Sequence, residues 1–204
     1  MGLLSSSVSI TRYKVHGKLN SPIVDRVVEG LKKNKISDID GKADEMMVGW
    51  TSFDNPFQPR FDDSSFVYGT YFVFSLRIDK KNISLKILQK HTSMESAKRM
   101  AENGRNYLTK TEKKLVKDHV MNVLSLKIPA TPNIYDVIWA YEDQFLWFFT
   151  NLKTANEELE TLFSKSFQLS LIRLFPYFAA DMSSGLTHSE RDGLNRISPT
   201  RFVT

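Results

Sequence analysis

The sequence contains no cysteine. Disulfides, a thiolate nucleophile and Cys-ligated zinc or iron–sulfur centres are thereby excluded, and thiol content gives no indication of redox compartment. Long hydrophobic runs are also missing. The stretches 66–78 and 134–149 are interrupted by polar residues such as Asp136, Glu142 and Asp143, and both fall short of the roughly 20 apolar residues that a spanning helix needs. The N-terminus has neither the basic start nor the apolar segment of a secretory signal, so a cytoplasmic protein is the expectation. Met1-Gly2 with Ser6 fits the short myristoylation pattern; its ordinary reading is the disordered start of a strand. There is no Gly-rich phosphate loop, nucleophile elbow or kinase signature, and no repeat at a fixed period.

What is present is a chain of 204 residues, 41% hydrophobic, with a net charge of +5. That length and composition support one domain with a real core. The basic balance points to an acidic partner, whether nucleic acid, anionic membrane or acidic protein.

Alternation of Val8, Ile10, Tyr13 and Val15 predicts a first strand. Ser21 as N-cap and Pro22 at the first helical position predict a helix carrying the stripe Ile23, Val24, Val27, Val28 and Leu31. Met46–Trp50 reads as a short buried strand and 54–63 as a loop. Phe66, Tyr68, Phe72, Phe74, Leu76 and Ile78 share one face of a long strand or a hairpin bending at Gly69, with Ile83–Leu88 a further strand extension. Three capping-box patterns, Thr92-Ser-Met-Glu95, Thr109-Lys-Thr-Glu112 and Thr154-Ala-Asn-Glu157, predict helix starts near Thr92, Thr109 and Thr154, and Gly104 separates the first two helices. Ile134–Trp139 and Phe145–Phe149 flank the Glu142-Asp143-Gln144 turn as a hairpin, and Leu169–Phe175 forms a last strand ending at Pro176. The expected class is α/β (α+β): a mostly antiparallel sheet with helices packed on it. One domain over 1–180 would carry a helical lobe at about 80–130, and 181–204 would form a flexible tail.

Charge is distributed unevenly. Residues 77–127 hold 13 basic and 5 acidic side chains, whereas the remainder holds 15 and 18. A mildly acidic body thus bears a basic module. On the helix from Thr109, Lys110, Lys113, Lys114 and Lys117 fall within one sector beside an apolar one of Val116, Val120, Val123 and Leu124. A stripe of ammonium groups can follow a phosphate backbone and release its condensed counterions, although a lysine-rich face is often merely a solvated surface. Tyr107 is the lone aromatic near the basic helices. That scarcity favours sequence-independent backbone contact over a base-stacking platform for single strands. The residues expected to contact DNA are Lys98, Arg99, Arg105, Lys110, Lys113, Lys114, Lys117 and Lys127.

Leu108-x-Lys110-Thr111-Glu112-Lys113, continuing to Lys117-Asp118 and Val120, resembles a helix of the bacterial recombination-associated RdgC family. Val48-Gly49-Trp50 is similar to that family's Met-Gly-Trp element, and Trp139 with the following hairpin and the helix from Thr154 fits the next block. The likeness spans most of Val8 to Pro176. It implies a non-enzymatic binder of DNA that forms a homodimer, closed in the family into a ring around duplex DNA, and that restrains strand exchange by the RecA recombinase. Such a protein would be nucleoid-associated, with Lys110, Lys113 and Lys117 on the helical lobe. Family members continue beyond the position of Pro176 with a further domain. Where they often carry an aromatic ring contact, this sequence has Lys127-Ile128-Pro129.

Other readings remain open. A protein-interaction module could present the basic face to an acidic partner. A metal-dependent exonuclease would need convergent carboxylates, for which Asp38, Asp40, Asp44 and Glu45 or Asp62-Asp63 are the candidates; they read as solvated loop charges. His16, His91, His119 and His188 show no paired ligand spacing. Trp50, Trp139 and Trp147 read as core or dimer anchors. No catalytic residue, metal or cofactor is expected.

Overall fold

A computed structural model describes residues 2–62, 65–183, 185–194 and 196–197. The strands are β1 (Thr11–His16), β2 (Met46–Thr51), β3 (Val67–Tyr68), β4 (Tyr71–Lys80), β5 (Thr131–Ala140), β6 (Phe145–Phe148) and β7 (Ser170–Arg173). They form one antiparallel sheet in the order β2-β4-β5-β6-β1-β7, with β3 turning into β4 through Gly69. The helices are α1 (Ile23–Lys33), α2 (Leu85–Glu102), α3 (Lys110–Lys127), α4 (Lys153–Phe167), α5 (Pro176–Ser183) and α6 (His188–Leu194). The fold is therefore α+β, as the sequence predicts.

Register explains the main core. Phe72 lies opposite Trp139, Trp139 opposite Leu146, and Leu146 opposite Tyr13. Because side chains alternate along a strand, this register aligns the apolar positions of β4, β5, β6 and β1 on one face. Val27 and Leu31 of α1 and Leu159, Phe163 and Phe167 of α4 close over them. Trp139 meets Phe163 edge-on at 5.0 Å.

The Val48-Gly49-Trp50 element has a steric explanation. The chain at 34–36 pairs alongside β2, Trp50 N–H donating to Asn34 O and Ile36 N–H to Trp50 O. A Cβ on Gly49 would lie 2.5 Å from Ile36 N and Cα, so only glycine lets this segment approach. Trp50 then points to the core, fully buried, and its indole Nε1–H donates to Ser166 Oγ at 2.8 Å. One polar cluster runs from the core to the surface. The single proton of Tyr13 OH is shared between Asn156 Oδ1 (2.6 Å) and Glu160 Oε1 (2.9 Å), and Arg173 Nη2 donates to the same Glu160 oxygen (2.9 Å), joining β1, β7 and α4.

Several expectations require correction. Ile83–Leu88 is not strand: α2 starts at Leu85 and runs straight through Thr92. The Thr92 pattern is an accident of sequence, since Glu95 pairs with Arg99 at 3.2 Å and the Thr92 hydroxyl is buried with no partner among the described residues. Likewise α4 begins at Lys153 with Leu152 as its uncapped N-cap, placing Thr154 inside the first turn. Pro22, rather than Ser21, occupies the N-cap of α1. The strand predicted from Ile134 starts earlier, β5 taking in Pro132 opposite Asp79. Part of the predicted tail is helical, as α5 and α6; residues 184, 195 and 198–204 lie outside the described residues. No helix among the described residues is long and apolar enough to cross a membrane.

Candidate nucleic-acid interface

Helices α2 and α3 pack on each other as a hairpin whose apolar residues form a second core, separate from the first. Leu88, Leu108, Val116, Val120 and Leu124 are buried there, with Met100, Met121 and Ile128 against them. The sequence reason is the spacing of 116, 120 and 124, which puts three apolar side chains on one stripe of α3. Gly104, at φ +60°, permits the left-handed residue after α2.

Thr109 sets the start of α3 as expected. Its hydroxyl accepts from Glu112 N–H (3.3 Å), and its own N–H donates to Glu112 Oε2 (2.8 Å), completing the capping box. The Thr109 hydroxyl also donates to Oε2 at 2.8 Å, and the bonds to the carboxyl from the Thr109 N–H and hydroxyl hold Glu112 below its ordinary pKa. The reciprocal cap leaves Glu112 occupied locally. It also faces Arg105 at 3.6 Å.

At the foot of the hairpin, Lys81 is buried to 6% exposure and its Nζ donates to the carbonyls of Ser125, at 2.6 Å, and Lys42. Asp40 Oδ1 accepts from Ala130 N–H at 2.7 Å. These bonds attach α3 and the strand after it to the loop preceding β2. The basic character of Lys81 is thus structural.

The eight predicted contact residues divide into two groups. Lys98 is 3.9 Å from Glu102, Arg99 pairs with Glu95, and Arg105 with Glu112. By contrast Lys110, Lys113, Lys114, Lys117 and Lys127 are exposed and have no ion-pair partner among the described residues. Lys127 stands apart at the foot of α3, whereas the other four occupy its first two turns, next to the tip of the hairpin. Residues 98–117 carry seven basic and two acidic side chains. With both carboxylates committed to local bonds, the distal half of the lobe presents a net positive field to solvent.

The remaining candidates do not form a site. Asp38 and Asp40 accept loop hydrogen bonds, Asp62 pairs with Lys32 at 3.0 Å, and Asp63 lies outside the described residues. Among the described residues no three His, Asp or Glu side chains are grouped to hold a metal ion. His91 and His119 line the α2–α3 groove, while His16 is on the sheet and His188 opens α6. Trp50 and Trp139 are core residues, but Trp147 faces the other side of the sheet. Sequence reasoning missed the buried role of Lys81, whose charge looks like any other in a basic stretch.

No family model matches the chain, and no curated protein does.

Proposed function

We propose that this protein binds the backbone of duplex DNA without regard to sequence, through the distal part of the α2–α3 hairpin. The observation that carries this reading is the row of four unpaired lysines, Lys110, Lys113, Lys114 and Lys117, on a capped helix that has its own core. A lysine already tied to a carboxylate gains little from a phosphate, because it must surrender one partner for another. An unpaired ammonium gains the full counterion-release term. The resemblance of 108–120 to RdgC supports a homodimeric, nucleoid-associated clamp that modulates recombination by restraining RecA-type strand exchange. No catalytic step enters this role.

Titration of a fluorescent duplex at several salt concentrations is the test. Each lost phosphate contact flattens the slope of log K against log salt by about one, so Lys113→Glu with Lys117→Glu should lower affinity and flatten the slope by about two. A double variant with the wild-type slope would remove the hairpin from the interface.

A further inference from the structure

A second surface lies on the face of the sheet turned away from α1 and α4. The residues opposite the core positions make two adjacent cross-strand rows. One runs Tyr71, Ala140, Phe145, Lys14 and Ile172; the next runs Val73, Ile138, Trp147 and Arg12. Tyr71 is 40% and Phe145 37% exposed, Trp147 is half-buried and Arg12 is exposed. The Tyr71 and Trp147 ring centroids are 6.1 Å apart, tilted by 48°, and Lys14 Nζ stands 4.3 Å above the Phe145 ring. Three aromatic rings and two cations thus share one patch, in which Val73 and Ala140 are buried and Lys14 Nζ also donates to Asp143 O at 2.9 Å. Neither row contains a carboxylate. Asp136, in the row beyond, is committed to Ser75 Oγ (2.8 Å) and Leu3 N–H (2.7 Å).

We infer that this patch is a stacking platform for an unpaired strand of nucleic acid, with Tyr71 and Trp147 receiving bases and Arg12 and Lys14, the latter seated over Phe145, receiving phosphates. Every base has a π face, so aromatic rings on a sheet bind single strands with little sequence preference, while neighbouring cations track the backbone. A duplex cannot use the same rings, because its bases are stacked on one another inside the helix. Charge also decides between occupants. A second copy docked face to face would bring two more cations onto the patch and no carboxylate from either row to pair with Arg12 and Lys14, whereas a polyanion neutralises both.

The platform and the hairpin are different surfaces, and each has its own variant. Anisotropy of a labelled oligothymidylate and of a labelled mixed-sequence duplex would be measured for the full chain, for Tyr71→Ala with Trp147→Ala, for Trp147→Phe, and for Lys113→Glu with Lys117→Glu. The first variant should weaken oligothymidylate about 5- to 150-fold for each base that loses its stack, and change duplex affinity less than twofold. Trp147→Phe, which keeps a ring, should retain most single-strand affinity and guards against a folding artefact. The lysine variant should weaken duplex more than oligothymidylate; wild-type duplex binding by that variant counts against the hairpin reading alone. Equal single-strand affinity in wild type and Tyr71→Ala/Trp147→Ala would overturn the platform. So would a wild-type dimer that this variant alone converts to monomer, since the face would then be an interface between copies.

Discussion

Gly49 and Tyr13 show how single residues constrain this fold. At Gly49 the obstacle to a side chain is backbone, Ile36 N and Cα at 2.5 Å, and backbone held by two hydrogen bonds cannot swing aside. Gly49→Ala should therefore cost about 1–3 kcal/mol, as overpacking does, and lower the melting temperature by roughly 2–4 °C for each of those kcal/mol. An unchanged melting curve would mean that the 34–36 segment is not held against β2. Tyr13 is fully buried, and burial followed by its bond to Glu160 pushes the phenol pKa up. A group raised in the folded state stabilises fully below its unfolded value, here about 10, and loses that contribution as pH rises above it. Urea unfolding between pH 8 and 11 should therefore show a steeper alkaline loss for the wild type than for Tyr13→Phe. Parallel pH profiles would detach Tyr13 from the effect.

Of the four Thr-x-x-Glu patterns in the sequence, those at Thr109 and Thr187 cap helix starts and those at Thr92 and Thr154 do not, and the element scale explains why. Thr109 follows Gly104 and a polar loop, so nothing helical precedes it and its hydroxyl is free to cap. Thr92 has helix on both sides, because Leu85 to Lys90 already satisfy the turn before it. A cap motif is thus informative only where the preceding residues refuse the helix. Thr109→Ala should remove the cap at a cost of about 1 kcal/mol, seen as faster amide exchange over the first turn of α3. Unaltered exchange there would show that packing of Val116 against α2 suffices.

The strands were legible for a related reason. Phe72, Phe74, Leu76 and Ile78 alternate with smaller or polar neighbours, and the antiparallel sheet follows from such alternation with tight turns at Gly69 and Gln144. The basic lobe was legible from charge segregation. The aromatic patch was not: Phe145-Leu-Trp-Phe-Phe149 is apolar at every position, so period-2 reading could not tell which face is open. Only the pairing of Trp147 with Ile138 and Arg12 places it beside Tyr71 and away from Trp139. Nor could a chain-order reading join Lys81 to Ser125, 44 residues later.

For the whole molecule the decisive arrangement is two cores of unequal size on one chain. The larger takes in five strands and two helices; the smaller rests on five buried residues of a hairpin and the loop within it. Stability in such a molecule is not a single number, because the part with less buried apolar surface opens first. The hairpin is joined to the body chiefly by hydrogen bonds at its foot, Lys81 among them. Native-state amide exchange should then separate two levels: β4 and β5 protected near the global unfolding free energy, α2 and α3 exchanging at a lower one. Lys81→Met, which leaves two carbonyls without their donor, should lower both levels by about 1–3 kcal/mol, because global unfolding also breaks these bonds. A single level shared by all protected amides would mean that both cores melt together. On the proposed reading, bound duplex should raise every opening that unfolds the hairpin and leave unchanged the openings that keep it intact, so that the same exchange experiment locates the duplex without any label on either molecule.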